Sequence, residues 1–140
     1  MRVLADTNIF ISYLLNPGRD GSVQALIQAA VDGQITLLLP QDLMDEITVT
    51  VASKPYLVQR ITQQALDALL ETLALLGEEI PRITSPLPHL SRDQKDDYLI
   101  AYAVVGGADF LVTGDKDLLV LGKVGDLSIT TANEFMSTFL

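Results

Sequence analysis

Met1-Arg-Val-Leu-Ala-Asp-Thr-Asn8 is the stretch around which the chain is read. Arg2 to Ala5 read as a short strand, with the small and branched apolar residues Val3, Leu4 and Ala5 giving the pattern of burial. Asp6 stands at its C-terminal end, followed by Thr7, Asn8 and the apolar run Ile9-Phe10-Ile11. A strand at these positions is expected near the middle of a parallel sheet. In open α/β sheets, chemistry sits just past the carboxyl ends of the strands. Asp6 is therefore expected at a site. The plain alternative is that Asp6 or Thr7 only caps the helix that follows.

The β–α alternation continues outward from that stretch. A helix is expected from Ile9 to about Leu15, then a turn-rich break over Asn16-Pro-Gly-Arg-Asp-Gly21. Ser22 is placed to cap a second helix, with Val23, Leu26, Ile27 and Ala30 at helical spacing, ended by Gly33. Ile35 to Leu39 reads as the second strand, and Pro40 as the first turn of a third helix carrying Leu43, Met44 and Ile47 inward. Lys54-Pro55 breaks that helix. One long helix is expected over 58–76, with Ile61, Ala65, Leu69, Leu73 and Leu76 as its apolar stripe.

A short strand is expected within Glu79–Ile83, then loop over Thr84–Leu90. Ser91–Asp97 opens a helix running to Val105, closed by Gly106-Gly107. Asp109–Thr113 and Leu127–Thr130 read as strands, and Thr131–Glu134 starts a last helix. These elements predict one α/β domain spanning 1–140, a parallel sheet flanked by helices.

Composition narrows the function. The 140 residues are 49% hydrophobic, enough for one domain with a core. There is no cysteine, which excludes thiolate zinc and cysteine catalysis and fits a reducing cytoplasm. No apolar run reaches the roughly 18 residues of a membrane span, so no membrane association is expected. The net charge of −9 is the wrong sign for a simple nucleic-acid binder. It suits carboxylates that gather cations, or a basic partner protein.

Acidic residues recur at element ends: Asp6 after strand one, Glu46 in the helix after strand two, Asp96 and Asp97 at the head of the next long helix, and Asp115 and Asp117 after the following strand. Converging carboxylates repel, and divalent cations relieve the repulsion. An all-oxygen set suits Mg²⁺ or Mn²⁺. Two such ions roughly 4 Å apart clamp the attacking and leaving oxygens of an in-line displacement, with water as the nucleophile. Thr7, Asn8 and Thr113 are placed to orient carboxylates or water from behind. The single histidine, His89, sits among prolines and reads as a loop residue. Each acidic group alone also fits helix N-termini or a Gly-Asp turn. Their order along matching elements carries the weight.

Asp6-Thr-Asn8-Ile-Phe10, Glu46, Arg92-Asp-Gln-Lys-Asp-Asp97 and Gly107-Ala-Asp-Phe-Leu-Val-Thr-Gly-Asp115-Lys-Asp-Leu118 together resemble the PIN domain, most closely its toxin components of bacterial toxin–antitoxin pairs. The resemblance covers essentially the whole chain and is most specific over 92–118. It implies a PIN-like, Rossmann-like three-layer sandwich and Mg²⁺- or Mn²⁺-dependent cleavage of RNA. It also implies frequent homodimers and an antitoxin partner. The family's catalytic acids carry over onto Asp6, Glu46, Asp97 and Asp115. Asp96 and Asp117 stand beside them as further metal ligands. Asp97 is preferred to Asp96 because it lies four residues before Ala101, at the head of the apolar helix face.

Phosphate contacts would fall to Arg92, Lys95 and Lys116, with Arg19, Lys54 and Arg60 as further candidates. Two other readings compete. One is a PIN-like binding module with little or no cleavage that engages a basic antitoxin-type partner. The other is a phosphatase or response-regulator receiver. A receiver pairs two acids at strand one, where this chain has only Asp6.

Overall fold

The computed structural model describes residues 1–16, 21–84 and 94–139, the side chains of 94–96 excepted. Six strands form one sheet in the order β3-β2-β1-β4-β6-β5. They are β1 (Arg2–Ala5), β2 (Thr36–Pro40), β3 (Glu78–Ile80), β4 (Phe110–Val112), β5 (Lys123–Val124) and β6 (Leu127–Thr130). All pairings are parallel except β5 with β6. The helices among the described residues are α1 (Thr7–Leu15), α2 (Ser22–Val31), α3 (Gln41–Ser53), α4 (Pro55–Arg60), α5 (Gln63–Leu76), α6 (Gln94–Val105), α7 (Lys116–Leu119) and α8 (Ala132–Thr138).

β1 is central, as its opening run of apolar residues predicts, with Val3, Leu4 and Ala5 fully buried. From β1 the chain builds outward to β2 and β3, then returns to place β4 on the other side of β1. Right-handed crossovers therefore put α1 to α5 on one face and α6 on the other. The result is the expected three-layer α/β arrangement. The strand order reverses between β1 and β4, the switch point at which such sheets open a crevice.

Several boundaries differ from expectation, each for a physical reason. Pro40 is the last residue of β2 and caps α3 from outside the helix, with extended backbone at φ −61° and ψ 139°. Gly21 rather than Ser22 caps α2; Ser22 begins the helix, and its hydroxyl bonds Asn133. The expected helix over 58–76 is two. Ile61 leaves the helical region, and Thr62 caps α5 by accepting from the Ala65 N–H at 3.0 Å. Hydrophobic periodicity does not register this break, because Leu57, Ile61 and Leu66 all face the same core.

β3 spans 78–80 rather than lying within 79–83, since Pro81 has no N–H with which to extend the ladder. The hairpin of β5 and β6 and the short helix α7 went unforeseen. Gly122 and Gly125, both at positive φ, bracket β5, and the Gly125-Asp126 pair makes the turn. Residues 17–20 of the expected turn and 85–93, which include His89 and the start of the helix expected from Ser91, lie outside the described residues.

The sheet's lower edge is tied by Arg2. Its guanidinium donates to the Gly106 carbonyl and pairs with Glu78, and its backbone N–H donates to Asp109. The pairing raises the Arg2 pKa and lowers that of Glu78. No helix among the described residues is long and apolar enough to cross a membrane.

Gly77 ends α5 because nothing larger fits. A Cβ there would lie 2.1 Å from Leu39 Cδ1 and 2.4 Å from Leu39 Cγ, although its φ of −87° suits any residue. Gly77→Ala is expected to lower stability by about 1–3 kcal/mol through overpacking of β2. Urea unfolding should show a lower midpoint at unchanged slope.

Candidate active site

Asp6 lies where β1 ends, 5% exposed, and its two carboxylate oxygens do different work. Oδ1 accepts from the Asn8 N–H at 3.0 Å, which caps α1. Oδ2 accepts from the Thr113 hydroxyl at 2.6 Å. The capping alternative is thus correct and incomplete, because the second oxygen is held from another strand. β1 and β4 run in register with Ala5 opposite Val112, so Asp6 and Thr113 emerge side by side. The Asp6 N–H donates to the Val112 carbonyl at 3.0 Å, extending the ladder by one step.

Thr113 is fully buried and relays the contact onward. Its hydroxyl donates to Asp6 and accepts from the Asp115 N–H at 3.0 Å. Asp115 in turn caps α7, its Oδ1 accepting from the Asp117 N–H at 2.9 Å. Asp6, Thr113, Asp115 and Asp117 therefore form one chain of contacts along the switch-point edge. Asp115 and Asp117 remain partly exposed.

Asp97 lies in the first turns of α6, which packs on β1 and β4, and is 4% exposed. The side chain of Asp96, the alternative to it, lies outside the described residues together with those of Arg92 and Lys95. Glu46 is exposed on α3, about a turn and a half from the helix start. Among the described residues, no three acids come close enough to hold an ion between them. Thr113 thus links Asp6 to Asp115, while Asp97 is buried near the start of α6 and Glu46 is exposed on α3.

Of the supporting residues, Asn8 contributes its backbone N–H, while its side chain is exposed. The Thr7 hydroxyl is buried and finds no hydrogen-bond partner among the described residues. Lys116 is exposed at the head of α7.

Sequence reasoning missed a second polar cluster beside this edge. The Tyr102 hydroxyl donates to Asp42 Oδ2 at 2.6 Å and accepts from the Ile83 N–H at 3.0 Å. Arg82 pairs with both Asp42 and Asp45, the latter at 2.7 Å. Asp42 and Asp45 lie in the first turns of α3, where the positive end of a helix already accounts for acids. Their partners lie 37 to 60 residues away, so no local pattern shows them. Burial, and then the Asp42 contact, push the Tyr102 phenol above its ordinary pKa.

Residues 2–117 match the PIN domain, and the chain belongs to the PIN-domain family. A solved structure, VapBC2 from Rickettsia felis bound to a DNA fragment from their promoter, contains a chain of similar fold. The TM-score is 0.61 at 18% identity, over 92% of this chain and 97% of that one. No curated protein matches the sequence.

Two outcomes test this geometry. Thr113→Val keeps the shape and removes the hydroxyl, leaving Asp6 one donor short and the Asp115 N–H without its acceptor. It is expected to cost about 1–3 kcal/mol by chemical denaturation. Tyr102 holds its proton more tightly folded than unfolded. Its contribution to stability is therefore complete below the ordinary tyrosine value near 10 and is lost as pH rises through the higher folded value. Tyr102→Phe should remove a late phenolate-forming step from an absorbance titration of the folded protein.

Proposed function

We propose that this chain is a Mg²⁺- or Mn²⁺-dependent endoribonuclease, the toxin component of a toxin–antitoxin pair. The observation that carries the reading is the deep burial of Asp6 and Asp97 along the switch-point edge. A buried carboxylate is costly without compensating charge. Among the described residues, Asp6 accepts hydrogen bonds from neutral groups, the Asn8 N–H and the Thr113 hydroxyl. Each of its oxygens still has a lone pair to offer.

The donor chemistry of the edge fits a hard divalent ion, with carboxylate and hydroxyl oxygens and no sulfur or imidazole. Asp6, Asp97, Glu46 and Asp115 would hold it, with Asp96 and Asp117 as neighbouring ligands. Bringing a third acid to Asp6 and Asp97 then calls for a side-chain movement of Glu46 or Asp115. When bound, a divalent ion supplies Lewis-acid stabilisation of the phosphoryl oxygens and lowers the pKa of water.

The protein's own part is to bind, orient and protect. Thr113 fixes the rotamer of Asp6, so one oxygen always faces away from the hydroxyl. Attack by water forms one P–O bond and breaks another, and a proton passes to the leaving oxygen. Arg92, Lys95 and Lys116 would contact the RNA phosphates. Membership in the PIN family supports nuclease chemistry, and the likeness to a VapBC2 chain supports an antitoxin partner. We further propose that residues 1–140 act as one domain, that the protein works in the cytoplasm, and that it forms homodimers.

One observation favours a second reading, a binding module for a basic antitoxin-type partner with little cleavage. The net charge is −9, and no three described acids are gathered for an ion.

Cleavage of a mixed RNA pool by purified protein, with Mg²⁺, Mn²⁺ or EDTA, separates the two. Cation-dependent cleavage is expected, falling about 100-fold or more in Asp6→Asn and in Asp97→Asn while circular dichroism stays native. Equal cleavage by both variants and wild type would sink the nuclease reading. No cleavage under any cation would favour the binding module.

A further inference from the structure

Tyr102 and Asp42 join two helices that right-handed connections place on opposite faces of the sheet. Each helix carries one of the acids assigned to the edge. Asp42 precedes Glu46 by one turn of α3, a rise of about 6 Å. Tyr102 follows Asp97 by five residues of α6, a rise of about 7.5 Å. The side-chain bond between them thus lies within about a turn and a half of both acids. It is short, at 2.6 Å, and its donor is 1% exposed. The phenol is buried and Asp42 half-exposed, and a phenol donating to a carboxylate is a charge-assisted bond of the kind that fixes geometry.

Two further contacts make the bond directional. The Ile83 N–H donates to the phenol oxygen, so the hydroxyl hydrogen is left to point at Asp42. The edge of the Tyr98 ring packs against Tyr102 at 6.2 Å and 84°. Arg82, two residues beyond β3, closes over Asp42 and Asp45 from the solvent side. The segment leaving β3, the head of α3 and the third turn of α6 are therefore gathered at one phenol oxygen.

We propose that Tyr102 is a positioning residue: by holding Asp42 it sets the head of α3, and with it Glu46, relative to Asp97 on α6. The inference rests on the nuclease reading above. A ligand set drawn from separate elements works only when those elements are held within about 0.5 Å of their working geometry. Tyr102 touches neither substrate nor ion in this role. It acts through the separation of two carboxylates, so its loss should appear in cation affinity before it appears in turnover.

The test measures Mn²⁺ binding by calorimetry and, separately, the Mn²⁺ dependence of RNA cleavage, with circular dichroism as the fold check. Tyr102→Phe is expected to raise the half-saturating Mn²⁺ concentration about tenfold in both measurements. KM for RNA and the rate at saturating Mn²⁺ should stay near wild type. Asp42→Ala cuts the same bond from its half-exposed end and should give the same shift. It decides the matter if Tyr102→Phe does not fold. Asp45→Ala removes a partner of Arg82 but leaves the phenol–carboxylate bond, and is expected within about twofold of wild type. An unchanged Mn²⁺ midpoint in folded Tyr102→Phe or Asp42→Ala overturns the proposal, as does an equal shift in Asp45→Ala. Wild-type protein that takes up no Mn²⁺ and cleaves no better than Asp6→Asn overturns the nuclease reading, and this proposal with it.

Discussion

One buried hydroxyl holds the acidic edge together. Thr113 donates to Asp6 and accepts from the Asp115 N–H, so its hydrogen has a single place to point. That assignment depends on the register of β1 and β4. Ala5 faces Val112, and the next residue on each strand is the acid and the hydroxyl. A slip of one residue would turn each side chain to the other face of the sheet and separate the pair. The buried strand and the acidic edge are thus two consequences of one pairing. The apolar residues Val3, Leu4, Ala5, Leu111 and Val112 fix the register through burial, and the polar residues that follow inherit it.

The same logic explains what the sequence made legible. Signals that act within a few residues can be read directly. The apolar run after Met1, the Thr131 cap with Glu134 three residues on, and the Gly106-Gly107 stop all appear where expected. The switch-point position of Asp6 and Thr113 also follows, because βα alternation and crossover handedness leave few topologies open. Breaks and very short elements were harder. The Ile61-Thr62 interruption keeps the apolar face in phase, and β5 has two residues, too few for periodicity to register.

The Asp42–Tyr102–Arg82 cluster shows the limit of such reading. Asp42 and Asp45 in the first turns of a helix are fully accounted for by its positive end. Nothing near them announces that a tyrosine 60 residues on will spend its hydroxyl there. Amphipathic patterning treats Tyr102 as part of the apolar face of α6, and its ring is indeed core. Only the oxygen joins the polar cluster, and hydropathy averages it away. Polar groups inside a core are specified by three-dimensional neighbours, so they are the part of a site that a sequence hides best.

The distribution of positive charge bears on how an RNA strand would reach this edge. Arg2 is committed to Glu78 and the Gly106 carbonyl, and Arg82 to Asp42 and Asp45. Both serve the fold, and neither offers a phosphate an unshared guanidinium. On a chain of net charge −9, long-range attraction for a polyanion is absent. Screening confines any surface charge to about 8 Å at physiological salt, so what counts is the local balance at the edge. The described part of that balance is negative, Asp6, Asp97, Asp115 and Asp117 against the exposed Lys116, with Arg92 and Lys95 outside it. Each divalent ion bound there changes the local charge by two units. Cation uptake and RNA binding would then be one coupled event: the acids that make the edge repel phosphate when empty are those that make it attract phosphate when loaded. An acidic chain is a poor nucleic-acid binder in the ordinary sense. Under the proposed function, ions would have to precede the substrate, because an empty acidic edge repels phosphate.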